Sequence, residues 1–178
     1  GYIMKAYRHA ICVSGTHGKT TTTSMLTQIF MEAGKDPTVM IGGSLPLLGA
    51  GHRVGQGDTI ILESCEYCNS FLNFFPTTAV VLDIDADHLD FFKDLEDVKH
   101  SFRRFAELVP ADGLIVANGD DKNTLDALDG LSLVRFGMAQ TNDVYGTNFS
   151  EDYRCFDVVC GDKPYFQLEL GVIGRHNA

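Results

Sequence analysis

The apolar positions of this chain fall into short runs separated by polar and glycine-rich stretches. Ala10 to Ser14 is the first run, and it leads into Gly15-Thr16-His17-Gly18-Lys19-Thr20. Beyond that loop, Met25, Leu26, Ile29 and Phe30 recur at helical spacing until Gly34, a residue suited to the left-handed position after a helix. The opening unit is therefore strand, glycine loop, helix. Val39 to Ile41 predicts a strand, and Gly42 to Gly57 a glycine- and leucine-rich loop. Thr59 to Leu62 predicts a buried strand ending at Glu63, and Ala79 to Ile84 another that enters the acidic run Asp83, Asp85, Asp87, His88, Asp90.

Asp94 reads as a helix N-cap, followed by the stripe Leu95, Val98, Phe102, Phe105 and Val109 up to Pro110. Leu114 to Ala117 predicts a strand, Asn123 to Leu128 a short helix, and Leu133 to Phe136 another strand. The end of the chain changes character. Phe156 to Val159 and Phe166 to Leu170 alternate with period two around Gly161-Asp162-Lys163-Pro164, which predicts a hairpin. Together these elements predict an α/β fold: a mostly parallel sheet flanked by helices, with a small antiparallel hairpin near the C-terminal end.

Composition narrows the partners. The chain has 178 residues, enough for a sizeable core, and its 44% hydrophobic and 21% charged residues exclude a disordered or fibrous class. Lys and Arg number 14 against 24 Asp and Glu, a net charge of −10. That balance argues against nucleic acid and anionic membrane surfaces, though not against a nucleotide held by backbone N–H groups and one lysine. No run approaches a membrane helix and Gly1 to His9 lacks a signal-peptide core, so the expected location is cytoplasmic. The five cysteines are accordingly expected as reduced thiols.

The glycine loop carries the strongest chemical signal. In a P-loop, backbone N–H groups converge on phosphate at a helix N-terminus, a lysine reaches the terminal phosphates and a hydroxyl takes Mg²⁺. Val13 stands where the first glycine of the common spacing would be, and Gly15 lies close to Gly18. A plain glycine turn with a threonine N-cap is the alternative. Metal ligands are expected at the carboxyl ends of neighbouring strands, where Glu63, Asp85, Asp87 and His88 fall. An EF-hand reading of the acidic run fails, because His88 occupies its glycine position and Asp94 its glutamate position. Cys65-Glu66-Tyr67-Cys68 is a lone C-x-x-C and reads as coincidence, since Cys155 and Cys160 would point to opposite sheet faces. His17 could touch phosphate or pack beneath the loop.

With these motifs in view, the chain resembles the Mur ligases, which build the peptide of bacterial peptidoglycan. Gly15 to Thr23 looks like their ATP loop, and Glu63-Ser64-Cys65-Glu66-Tyr67, Asp87-His88-Leu89-Asp90 and Gly174-Arg175-His176-Asn177 match in the same order. The resemblance implies that residues 1–178 are the central ATP-binding domain, incomplete at its C-terminal end. An N-terminal UDP-sugar domain and a closing C-terminal domain would lie outside it. It also implies ATP and Mg²⁺ as cofactors, with Gly15, Thr16, His17, Gly18, Lys19, Thr20, Thr21, His176 and Asn177 on the nucleotide. Thr20, Glu63 and His88 would hold metal, and Lys19, Glu63 and His88 would serve catalysis.

The Thr-His form of the loop points to UDP-N-acetylmuramate and L-alanine as substrates, joined through an acyl phosphate. Tripeptide-recycling and folylpolyglutamate-type relatives are the near alternatives. Ligases for later amino acids carry a carbamylated lysine where Phe102 stands here, and the family more often has Asp where Cys65 stands. A stand-alone P-loop NTPase would need a full loop and an NK-x-D signal that is not visible. A zinc or redox module on Cys65 and Cys68 is the remaining class, which a count of thiols and zinc would separate.

Overall fold

A computed structural model describes residues 1–45, 48–172, 174 and 175. The chain forms β1 (His9–Ser14), α1 (Lys19–Glu32), β2 (Thr38–Leu45), β3 (Ala50–Arg53), β4 (Thr59–Glu63) and β5 (Thr78–Val81). It continues with α2 (Leu95–Ala106), β6 (Leu114–Asn118), α3 (Lys122–Ala127), β7 (Val134–Gly137), β8 (Val144–Thr147), β9 (Cys155–Cys160) and β10 (Lys163–Glu169). All the strands join one sheet in the order β10-β9-β8-β7-β6-β5-β1-β4-β2-β3. From β2 across to β8 neighbours run parallel; β3 at one edge and β9 and β10 at the other are antiparallel.

Alternation along the central strands divides the core between the two faces. Ala10, Cys12, Ile60, Leu62, Ala79, Val81, Ile115 and Ala117 share one buried cluster with Phe102 and Phe105 of α2 and Leu128 beside α3. Phe71 stacks on Phe105 at 4.6 Å between centroids and meets Phe102 edge-on at 5.4 Å. Phe102 is thus a core residue. Val13, Val39 and Ile61, also buried, face the other way, toward α1.

α1 differs from expectation in the face it buries. Thr23 and Thr27 are its buried residues, while Ile29 lies in solvent. Each buried hydroxyl donates to the carbonyl one turn back, Thr23 to Lys19 and Thr27 to Thr23, both at 2.7 Å. Self-satisfied in this way, threonine packs against the sheet without an unmet hydroxyl. Gly34 takes the expected left-handed conformation just past the helix, at φ +67°.

Two other segments depart from the sequence reading. The span expected as one loop from Gly42 to Gly57 instead extends β2 to Leu45 and returns as β3. The run to Ile84 leaves the ladder at Val81; Leu82 N–H then donates to Ser14 O, and Thr16 N–H to Asp83 O, each at 3.0 Å. The expected hairpin is present as β9 and β10, turning through Gly161 and Asp162, both at positive φ. β8, absent from the sequence reading, joins that hairpin to the parallel sheet.

Candidate active site

β1 ends centrally in the sheet, between β4 and β5, so the loop that follows emerges beside the carboxyl ends of both. Gly15 and Gly18 make its path possible. Both have positive φ, and a Cβ on Gly15 would meet Asp83 Oδ1 and Leu82 Cβ at 2.9 Å. Asp83 anchors the turn through His17 N–H at 2.8 Å, and Thr16 Oγ1 accepts from Asp85 N–H at 2.9 Å. Half-burial pushes the Asp83 carboxyl above the usual carboxylate range, against the lowering effect of the His17 hydrogen bond. Thr16 to Thr21 line an open cleft of about 330 Å³ at the N-terminus of α1. Such an end offers unpaired N–H groups and positive dipole character to an anion. A larger recess of about 490 Å³ lies elsewhere, bordered by Leu125, Leu131 and Arg135 near the start of β7.

Lys19 folds back over the loop. Its ammonium donates to Gly15 O at 2.6 Å, Thr16 O at 3.0 Å and the Glu66 carboxylate at 3.1 and 3.3 Å. Glu66 is almost fully buried, with 2% side-chain exposure, so this ion pair is shielded from solvent. Thr20 Oγ1 donates to Glu63 Oε1 at 3.0 Å, and the other Glu63 oxygen accepts from Gly42 N–H at 2.8 Å. The Gly42 contact places Glu63 against the extended part of β2.

His88 arrives on the segment after β5 with a left-handed backbone, φ +53°. Its Nε2 lies 3.8 Å from Glu66 Oε1, and its ring stands 4.7 Å from that of Tyr67. Tyr67 in turn donates to Asp90 at 3.0 Å, an acceptor whose hydrogen bond and charge raise the phenol above its ordinary pKa. The metal-ligating atoms drawn together among the described residues are those of Cys65, Glu66 and His88, all within 4.8 Å of one another. Glu63 is not in that group. Of the residues singled out by sequence, Gly15 to Thr21 share the cleft region, Thr20 meets Glu63, and His88 faces Glu66. His176 and Asn177 lie outside the described residues. Glu66 is the participant to which sequence reasoning gave no role, although it stands in the Glu63-Ser64-Cys65-Glu66-Tyr67 segment that matches the family, just past the strand that ends at Glu63.

An α/β sheet with a lysine-bearing phosphate loop at a central strand's carboxyl end defines a nucleotide-binding class of protein. The family model described as the Mur ligase middle domain matches residues 13–178, and the chain belongs to that family. It is 44% identical to UDP-N-acetylmuramate–L-alanine ligase of Clostridium botulinum (strain Hall), over 99% of this chain and 40% of that protein. The enzyme of the same name from Caldanaerobacter subterraneus subsp. tengcongensis is 42% identical over the same shares. Among solved structures, UDP-N-acetylmuramate:L-alanyl-gamma-D-glutamyl-meso-diaminopimelate ligase from Neisseria meningitides superposes with a TM-score of 0.86 at 28% identity, covering 98% of this chain and 59% of that one. UDP-N-acetylmuramate-alanine ligase from Thermotoga maritima gives 0.83 at 26% identity, over 99% and 40% respectively. The chain therefore spans about two fifths of the length of the curated relatives it matches.

Proposed function

We propose that this chain is the ATP-handling domain of a ligase that joins L-alanine to UDP-N-acetylmuramate in the cytoplasm. The observation that carries the reading is the pairing, at one sheet edge, of the Lys19 ammonium over the loop with the Thr20–Glu63 oxygens. The relatives at 42–44% identity supply the substrate pair.

The residues fit the nucleotide and its metal. Adjacent oxygen ligands on an octahedral Mg²⁺ stand about 2.9 Å apart, given bonds of 2.0–2.1 Å. Thr20 Oγ1 and Glu63 Oε1 are 3.0 Å apart. His88 would complete metal binding at the acyl-phosphate side, with Glu63 as its partner in the reading from resemblance. Bound there, Mg²⁺ supplies positive charge to the phosphate oxygens.

The chemistry must bring two anions together, the sugar's carboxylate and the γ-phosphate, so the protein's task is to place positive charge between them. Lys19 exchanges the Glu66 carboxylate for the β/γ-phosphates. The N–H groups of Gly18 to Thr21 hold phosphate oxygens, and Asp83 and Thr16 fix the loop that presents them. The carboxylate oxygen attacks the γ-phosphorus, the bond to ADP breaks, and an acyl phosphate results. The amine of L-alanine then adds to its carbonyl carbon; the C–O bond to the phosphate breaks, phosphate leaves with that oxygen, and the proton lost by the amine passes to solvent. Orientation and charge carry the first step.

The test is phosphate release by the full-length protein with ATP, UDP-N-acetylmuramate and either L-alanine or the tripeptide named for the Neisseria ligase. Turnover with L-alanine is expected, and turnover with the tripeptide alone would move the assignment to the recycling branch. Lys19→Ala should lower kcat by about 10²–10³-fold or more, as loss of a transition-state charge contact does. A variant with normal turnover would remove Lys19 from the mechanism.

A further inference from the structure

We propose that Cys65, Glu66 and His88 form a binding site for one thiophilic divalent cation of the Zn²⁺ class. This site does not rest on the ligase reading.

The geometry comes first. Cys65 Sγ, a Glu66 carboxylate oxygen and a His88 ring nitrogen lie within 4.8 Å of one another. Tetrahedral zinc with its usual bonds to sulfur, nitrogen and oxygen sets such donors roughly 3.3–3.7 Å apart. His88 Nε2 and Glu66 Oε1 stand at 3.8 Å, too far for a hydrogen bond and close to the spacing of two ligands on one ion. Small side-chain rotations at Cys65 would close the third edge, because that residue lies at the exposed rim.

The donor chemistry decides the kind of ion. Mg²⁺ and Ca²⁺ take oxygen ligands, whereas sulfur, imidazole and carboxylate together suit zinc and its congeners. Glu66 is buried against Lys19, which donates to both of its oxygens, at 3.1 and 3.3 Å, and the oxygen at 3.3 Å is the one that stands 3.8 Å from His88 Nε2. The ion would take that oxygen in place of the longer ammonium contact, while Lys19 keeps the 3.1 Å contact to the other oxygen. The Cys65 thiol gives its proton to solvent as the Zn–S bond forms, and water fills the open fourth position. His88 is shared with the magnesium ligand set proposed above, so the two ions compete for it.

Cobalt makes the site visible. Titrating the nucleotide-free, full-length protein with Co²⁺ under reducing conditions should produce one equivalent of a thiolate-to-metal charge-transfer band in the near ultraviolet, bleached by added Zn²⁺. Cys65→Ser should abolish the band and weaken Zn²⁺ binding by about 100-fold or more, since even losing a group outside the ligand shell costs 10–100-fold. His88→Ala should do the same. Cys68→Ser should retain both, because Cys68 lies outside the cluster. Circular dichroism of each variant shows that it is folded, and Cys65→Asp offers a second, anionic replacement that should also lose the charge-transfer band. Absence of the band in the wild type, its survival in folded Cys65→Ser, or its loss in Cys68→Ser alone would overturn the proposal.

Discussion

Cys12 lies fully buried on β1, and burial pushes its thiol up to about 12, the hydrogen bond with Ser64 lowering it only in part. The protonated thiol is a poor nucleophile, and the fold covers it. At about pH 8, iodoacetamide should therefore label the exposed Cys65, Cys68 and Cys160 and leave Cys12 untouched until the chain is unfolded. Peptide mass spectrometry reads the outcome; native labelling of Cys12 would contradict its place in the core. Asp83 gives a prediction of opposite kind. Its carboxyl is raised, so between the ordinary value of 3.8 and the raised one the fold holds a proton that the unfolded chain has released. Its contribution to stability consequently falls as pH rises through that window and stays lower above it. Asp83→Asn keeps an acceptor for His17 N–H and removes the titration. The variant's Tm relative to wild type should rise across the window and then level, whereas a constant difference from about pH 4 to 7 would exclude half-burial as the cause.

At the scale of elements, α2 combines several local signals. The Asp94 side chain accepts from Asp97 N–H at its start, Glu96 and Asp97 lie in the first turn, and Arg103 and Arg104 lie in the last. Removing the cap with Asp94→Ala should cost about 1 kcal/mol, and Phe102→Ala about 3–5 kcal/mol by opening the aromatic cluster. Urea midpoints at unchanged slope would show both; a near-zero loss for Phe102→Ala would contradict its packing against Phe71. This helix was legible in sequence because cap and stripe are properties of one segment. The second half of β2 was not, because Gly42 is held by a carboxylate on a different strand, Glu63. Thr23 and Thr27 hid the buried face of α1 behind hydroxyls that the helix satisfies itself. The site divides the same way. Spacing and resemblance drew out Lys19, Thr20, Glu63 and His88, but the role of Glu66 depends on a lysine 47 positions away.

For the molecule as a whole, the glycine loop sits on a sheet of ten strands among the described residues, while the curated relatives are more than twice as long. Under the function proposed above, residues 1–178 produced alone should bind Mg·ATP weakly and show no ligase turnover, because positioning carboxylate and amine against the phosphate would need the rest of a ligase of the relatives' length. Comparing phosphate release by this fragment and by the full-length protein checks it; robust fragment turnover would place both substrates within these residues. The central position of β1 also sets when the loop can form. Its partners begin at Thr59 on one side and Thr78 on the other, so its ladders close only after long stretches of intervening chain have been gathered in. Such non-local pairing slows folding, because loop-closure entropy is spent before the contacts repay it. In a pulse-labelling hydrogen-exchange experiment, Thr16 and His17 amides should gain protection together with β5, to which Asp83 ties them, and later than the helical amides of α2. The glycine loop, which precedes both partner strands of β1 along the chain, is thus among the last segments to acquire its working shape.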